Sequence, residues 1–325
     1  MPRVLDSSTV EELLTPSLAL DAMRELFSYS EEELGYGRID LRHPKGWLRA
    51  LPAFMRPGGV FGFKTIHRTD GVGMRYAIYV HDLETGELSG IVDGLAVTNL
   101  RTGAVSAVAT ERMAPEVVEV AALVGTGPVA RGQALLLDLV RPARELRVYA
   151  RTPDNRARFV EEMSSRLSSR LVAVESLDEA LDGAQLVTLA TKASSPLLES
   201  AHVVPGRHVN SVGPASRDRS EVSTEAFFAF DRVVCDSVKL VMDEAGDAHA
   251  AVQAGFDPAT AHDLAGVVSG GVSGRSADTE ATLFKSVGTG LQDLAVAARL
   301  LDAAEEMSVG TEIDSFISVK PLGSG

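Results

Sequence analysis

Cysteine is nearly absent: Cys235 is the only one in 325 residues, so no disulfide can form within the chain. Stability must come from a packed core, and a lone thiol suits the reducing cytosol. Positive charge is in deficit, with 31 Lys and Arg against 45 Asp and Glu for a net charge of −14. That balance excludes a broad nucleic-acid or anionic-membrane surface, while a few local cations can still make one pocket positive. Long apolar runs are missing as well. The best, 117–125, is interrupted by Glu119 and falls well short of the ~20 residues of a bilayer span. The opening MPRVLDSSTVEELL has no signal-peptide core. The seven histidines form no HExxH and have no cysteine partner, so no metal site is expected. The expectation is a soluble, cytoplasmic protein with no membrane or nucleic-acid partner.

What is present is ample apolar material, 45% of the residues, in a chain long enough for two domains. Residues 6–34 read as helical, with Ser8 and Thr9 as capping candidates and Leu13, Leu14, Leu18 and Leu20 on an amphipathic period. Three strand-like runs follow at 61–67, 75–82 and 86–94, the last two joined by a turn at Glu84-Thr85-Gly86. Thr98 to Ala109 reads as a helix of small residues. From residue 117 the texture becomes strand–helix alternation: 119–125, 146–150, 171–174, 185–191, 208–213 and 232–236 are strand-like, and 128–140 is helical. This rhythm predicts an α/β fold with a doubly wound parallel sheet. Residues 277–307 read as a further helical section, 305–319 as ending in strand-like alternation, and the terminal Gly-Ser-Gly as disordered. The expected organisation is a Rossmann domain over 117–304 and an α+β substrate and dimerisation domain over 1–116, completed by 305–325.

Gly125-Thr126-Gly127-Pro128-Val129-Ala130 ends one predicted strand and opens one predicted helix. In that context the first Gly permits a tight turn and the second lets the backbone approach a pyrophosphate. The small Ala130 permits close helix–strand packing. The helix N-terminus offers free N–H groups and a positive dipole end. At the end of the second strand an NAD enzyme usually carries Asp or Glu for the ribose. Here Arg151 and Thr152 stand there, with Arg156 a turn later. An Arg pairs with a 2′-phosphate through charge-assisted hydrogen bonds, so NADP(H) is preferred and NAD(H) is the alternative.

Five strings extend the pattern: TNLRTGAVSAVAT (98–110), GTGPVA (125–130), VNSVGPASRDRSEV (209–222), DSVKLVMDEAGD (236–247) and TLFKSVGTGLQDLAVAA (282–298). In order and spacing they resemble the ornithine cyclodeaminase/mu-crystallin family over nearly the whole chain. The most specific parts are the 98–104 motif and Phe284-Lys285-Ser286-Val287-Gly288. The resemblance implies a homodimeric, nicotinamide-dependent enzyme of small α-amino or α-imino acids. Its substrate carboxylate would be held by basic residues of the first domain, facing the nicotinamide. Lys64 and Arg101 match two carboxylate-binding positions and serve as the catalytic pair. Arg38 matches a third, with Arg42 its rival. The resemblance places Thr98, Thr191, Val212, Ser286 and Gly288 at the cofactor. Judged by residue type alone, Lys64 is a solvated strand residue and Arg101 a helix-surface charge.

Two departures refine the implied activity. The family's cyclodeaminases carry an aspartate where Ala215 stands, and that carboxylate takes a proton from the substrate amine. Alanine has no ionisable group, and Asp218 substitutes only if its loop folds back. Reduction of a C=N bond asks less, because a protonated ketimine already carries its activating proton. The expectation is therefore an NAD(P)H-dependent imine or ketimine reductase, or the reverse amino-acid dehydrogenase. A cyclodeaminase-type lyase with bound NAD and a non-catalytic NADPH-dependent binder are the alternatives. The family's usual Gln in the phosphate loop is Val129, which removes a polar contact but keeps the turn. Among other candidates, His67 shares a strand with Lys64, and Asp293 reads as structural. The glycine-rich 267–276 stretch holds no GxSxG and reads as a mobile loop near the cofactor.

Overall fold

A computed structural model describes residues 1–213 and 215–314. Strand β1 (Arg3–Leu5) leads into helices α1 (Ser7–Leu13) and α2 (Pro16–Leu26). Then come β2 (Leu34–Tyr36), β3 (Ile39–His43), β4 (Gly46–Met55), β5 (Val60–Thr69), β6 (Gly73–Asp82), β7 (Leu88–Asp93) and the long α3 (Gly94–Met113). The alternating section runs β8 (Val118–Val124), α4 (Pro128–Val140), β9 (Ala143–Tyr149), α5 (Pro153–Met163), β10 (Arg170–Ala173), α6 (Leu177–Leu181), β11 (Leu186–Leu189) and β12 (His208–Ser211). It continues through α7 (Thr224–Ala229), β13 (Arg232–Cys235), α8 (Val238–Glu244), α9 (Gly246–Gln253), β14 (His262–Asp263), α10 (Leu264–Val268) and β15 (Thr282–Lys285). Helix α11 (Gly290–Glu306) and β16 (Thr311–Glu312) close the described chain.

The chain divides into two compact units. One comprises Met1–Leu18, Tyr29–Thr98 and the chain from Thr289; the other comprises 19–28 and 99–288. The divisions at 98 and 288 differ from those read in the sequence after 116 and 304. Helix α11 packs across β4, β5 and β6, and the later turns of α3 pack on α4. That second contact is unusually close: a Cβ at Gly103 would lie 2.4 Å from the Gly132 carbonyl oxygen, and one at Gly132 would lie 2.3 Å from that of Asn99. Small residues there serve helix–helix approach.

The first unit is built on the sheet β16-β1-β7-β6-β5-β4-β2, with β3 paired to β4. Strands β4, β5 and β6 pair antiparallel, and β4–β5 keep register from Gly46↔Thr69 to Met55↔Val60. Side chains alternate between the faces. Leu51, Lys64 and Ile78 share the buried face under α11, and Phe54, Phe61 and His81 share the other. Two sequence readings need correction here. The helix read over 6–34 stops after Leu13 and restarts at Pro16, because proline cannot donate the helical N–H. Its first cap is Asp6, whose carboxylate accepts from the Thr9 amide at 2.9 Å, rather than Ser8 or Thr9. The hairpin β3–β4 went unread because Pro52 lies inside β4.

The second unit is a parallel sheet of order β10-β9-β8-β11-β12-β15-β13-β14. All its pairings are parallel. From β8 the chain moves outward to β10, then returns to place β11 beside β8, so the switch point of a doubly wound fold lies between β8 and β11. Ala122 and Val124 enter one core cluster, Ala121 and Leu123 the other, as a sheet covered on both faces requires. The helix read over 277–307 contains strand β15 before α11 begins. Thr282–Lys285 is wholly buried between β12 and β13, a pairing no local period announces. The 313–319 part of the alternation read at the C-terminus lies almost entirely outside the described residues, as does the Gly-Ser-Gly end.

Candidate functional site

Strand β8 delivers the chain to Gly125, whose φ of +116° suits glycine. A Cβ there would fall 2.3 Å from the Ala190 carbonyl oxygen. Gly127 caps α4 with no side chain to satisfy the first-turn amides, Pro128 follows at the first helical position, and the space in front of Gly127 is open. Ala130 is fully buried against the β8–β9 layer. These features fit a pyrophosphate: uncapped N–H groups, close approach and a dipole end of the right sign. The turn forms one wall of a cleft of about 630 Å³ spanning the switch point, lined also by Val129, Arg151, Thr152, Asn155, Thr191 and Val212.

Just after β9, Arg151 and Thr152 are exposed and line the cleft. Thr152 caps α5 without a side-chain hydrogen bond. Arg156 has another task. It is buried, its guanidinium donates to the Ala150 carbonyl at 2.5 Å and sits 5.7 Å from the Tyr149 ring. It braces the turn, and Asn155 lines the cleft in its place. The i, i+1 step between 155 and 156 decides which faces the opening, and sequence alone does not reveal that phase.

On the β11–β12 side the sequence reading missed a buried acid. Thr191 donates both its amide and its hydroxyl to Glu221 Oε1, each at 2.7 Å. The Ser211 hydroxyl and the Gly213 amide donate to Oε2 at 2.8 and 2.9 Å. The Thr191 hydroxyl is thus committed to Glu221 rather than to a ribose. Val212 lines the cleft. Ser286 is likewise committed, donating to Asp236 Oδ2 at 2.7 Å, and the Gly288 amide joins it there at 2.7 Å. The bare Cα of Gly288 accommodates Arg101: a Cβ would stand 2.8 Å from a guanidinium nitrogen. Arg101 is itself buried, so the helix-surface alternative does not hold.

In the first unit, Lys64 is also buried, with a side-chain exposure of 0%. Its ammonium donates to Asp293 Oδ1 at 2.8 Å and to the Thr98 hydroxyl at 2.7 Å, and lies 5.5 Å from the Tyr76 ring. Thr98 therefore serves Lys64, and Asp293, read as structural, is an ionic partner. Arg38 lies half-buried between β2 and β3. Its rival Arg42 is on exposed β3. His67 lies an odd number of residues from Lys64 on an unbroken register, so it faces the other side of the sheet. His81 stacks on Phe61 at 4.9 Å, and burial lowers its pKa.

Ala215 is half-buried and brings no ionisable group, while Asp218 is exposed and accepts from the Ser216 hydroxyl. The 267–276 stretch does not lie near the cleft. Arg275 ties it to the carbonyls of Met113 at 2.6 Å, Glu280 at 2.8 Å and Gly206 at 3.2 Å. Gly206 and Glu280 precede β12 and β15, placing the stretch at the opposite end of the parallel strands. The lone thiol of Cys235 is buried, which raises its pKa.

Comparison with known proteins follows the same lines. The family model "Ornithine cyclodeaminase/mu-crystallin family" matches residues 2–308. A Delta(1)-pyrroline-2-carboxylate reductase of Bacillus cereus is 31% identical over 239 residues, 73% of each chain. The structure of the Thermococcus litoralis Delta(1)-pyrroline-2-carboxylate reductase, solved with NADH and L-proline, superposes with a TM-score of 0.90 at 28% identity, covering 96% of this chain and 100% of that one. The iminosuccinate reductase of Paracoccus denitrificans, solved with NAD+, gives 0.88 at 26% identity over 97% and 99%.

Proposed function

The chain belongs to the ornithine cyclodeaminase/mu-crystallin family, and we propose that it is a nicotinamide-dependent reductase of cyclic or linear α-imino acids, able to run in reverse as an amino-acid dehydrogenase. The observation that carries this reading is the glycine turn with its uncapped helix at the switch-point cleft. The cofactor supplies a hydride to the imine carbon. The imine nitrogen enters already protonated, so C=N–H⁺ plus hydride gives the amine, with no further proton required from position 215. The amides after Gly127 hold the pyrophosphate. Lys64 and Arg101 pair with the substrate carboxylate, with Arg38 as a third cation, and a fixed carboxylate orients the α-carbon.

Arg151 and Thr152 favour NADP(H) over NAD(H), since no carboxylate follows β9 before α5 begins. The protein works in the cytoplasm as a homodimer. Support for the dimer is the open face of the antiparallel sheet, where Phe63 stacks on Tyr79 and Leu41, Ile39 and Phe54 stay exposed.

The test is NADPH oxidation with pyruvate plus amines, pyrroline-2-carboxylate and piperideine-2-carboxylate. Turnover with one of these is the expected result. Ammonia release from ornithine without net cofactor consumption would replace this reading with a cyclodeaminase. Tight NADPH binding without any turnover would replace it with a binding protein.

A further inference from the structure

Glu221 has no exposed surface and lies on the segment that links β12 to α7. Its carboxylate gathers four donors, the amide and hydroxyl of Thr191 on Oε1 and the Ser211 hydroxyl and Gly213 amide on Oε2. Thr191 follows β11 and 211–213 ends β12, so one side chain ties the C-terminal ends of two neighbouring parallel strands. The missing side chain of Gly213 makes room, because a Cβ there would fall 2.3 Å from the carboxylate. Behind it, Ser211 accepts from Lys285 Nζ at 2.9 Å, and Lys285 pairs with buried Asp247 at 2.7 Å. The acid is therefore held by an ionic layer as well as by its loops.

A dinucleotide in a doubly wound sheet lies across the strand ends, one half on each side of the switch point. The glycine turn and Arg151 belong to the β8–β9 side. Thr191, Val212 and Gly213 line the β11–β12 side of the same cleft. From this placement we infer that Glu221 is the positioning residue for the nicotinamide half of the cofactor, fixing the backbone at 191–193 and 211–213 without touching the adenosine half. The inference rests on the cofactor reading above. A glutamine offers one acceptor oxygen where the carboxylate offers two, and the Thr191 and Gly213 amides cannot turn away, so at least one buried N–H loses its partner.

The experiment measures binding of NADPH and of adenosine 2′,5′-bisphosphate, the cofactor's adenosine half, to the wild type and to Glu221→Gln, with NADH and ADP as a parallel pair. The expected result is a rise of about tenfold or more in the Kd of NADPH, with the bisphosphate within about twofold. Thr191→Val removes one of the four bonds and moves the same ligand by about threefold, which keeps the question answerable if the first variant does not fold. Equal losses for both ligands would mean a general packing role and overturn the inference, as would an unchanged NADPH affinity in either variant. If the wild type binds none of the four ligands, the cofactor reading itself fails and takes the inference with it.

Discussion

His208 opens β12 in the centre of the parallel sheet and is completely buried. Its Nδ1 lies 2.8 Å from the Thr282 hydroxyl and its Nε2 3.2 Å from Asn210 Oδ1, and Asn210 donates onward to Thr110 at 3.0 Å. A neutral ring has a partner at each nitrogen, one nitrogen donating and the other accepting. Burial, reinforced by the charge of Arg275, pushes the pKa from 6.5 down to about 3. The unfolded chain therefore binds this proton first as pH falls. Stability from the site is complete above pH 6.5 and is lost as pH falls from 6.5 towards 3. The linkage relation gives a loss of roughly 2 kcal/mol between about pH 7.5 and about pH 5. Urea unfolding of wild type and His208→Gln at both pH values reads it. The wild type should lose about 2 kcal/mol more than the variant, whose amide does not titrate. A shared slope refutes the argument, and so does an imidazole resonance of His208 that titrates near its ordinary pKa in the folded wild type.

Arg101→Ala should abolish imine turnover while NADPH affinity stays within about twofold, since the side chain is assigned to the substrate carboxylate; parallel loss of both in steady-state and binding assays would reassign it. Arg151→Asp should weaken NADPH by about tenfold or more relative to NADH, because a carboxylate repels the 2′-phosphate; an unchanged ratio removes the case for NADP(H). Asp293→Ala leaves the Lys64 ammonium buried without its ionic partner and should cost about 3–5 kcal/mol in urea unfolding, most of it recovered in the Lys64→Met, Asp293→Leu double variant. A cost below about 1 kcal/mol for the single change would show that the buried pair is not what holds Lys64.

Much of the second unit was legible in the chain because its signals are local. Strand-to-helix alternation, a glycine turn that needs positive φ at Gly125, and Pro128 at a helix start all act within a few residues. The family resemblance assigned Arg101 and Lys64 to a substrate carboxylate, whereas residue type alone argued for solvated charges. Both side chains are buried, and burial belongs to the assembled structure. Strand β15 stayed hidden because its partners are β12 and β13, far away in sequence. The strand around Pro52 stayed hidden because a proline normally argues against a strand interior. Here it falls between the β3 pairing, which ends at Ala50, and the β2 pairing, which begins at Ala53.

By itself the sequence determined the doubly wound sheet, the glycine turn before α4 and the absence of an acid at position 215, since each depends on residue identity and short-range geometry. Only the tertiary structure decided which side chains hold which. Lys64 meets Asp293 across 229 positions, and Glu221 gathers Thr191 across 30. A hydrogen bond needs its partners within about 3 Å, and that proximity is set by strand order and helix packing rather than by any spacing along the chain.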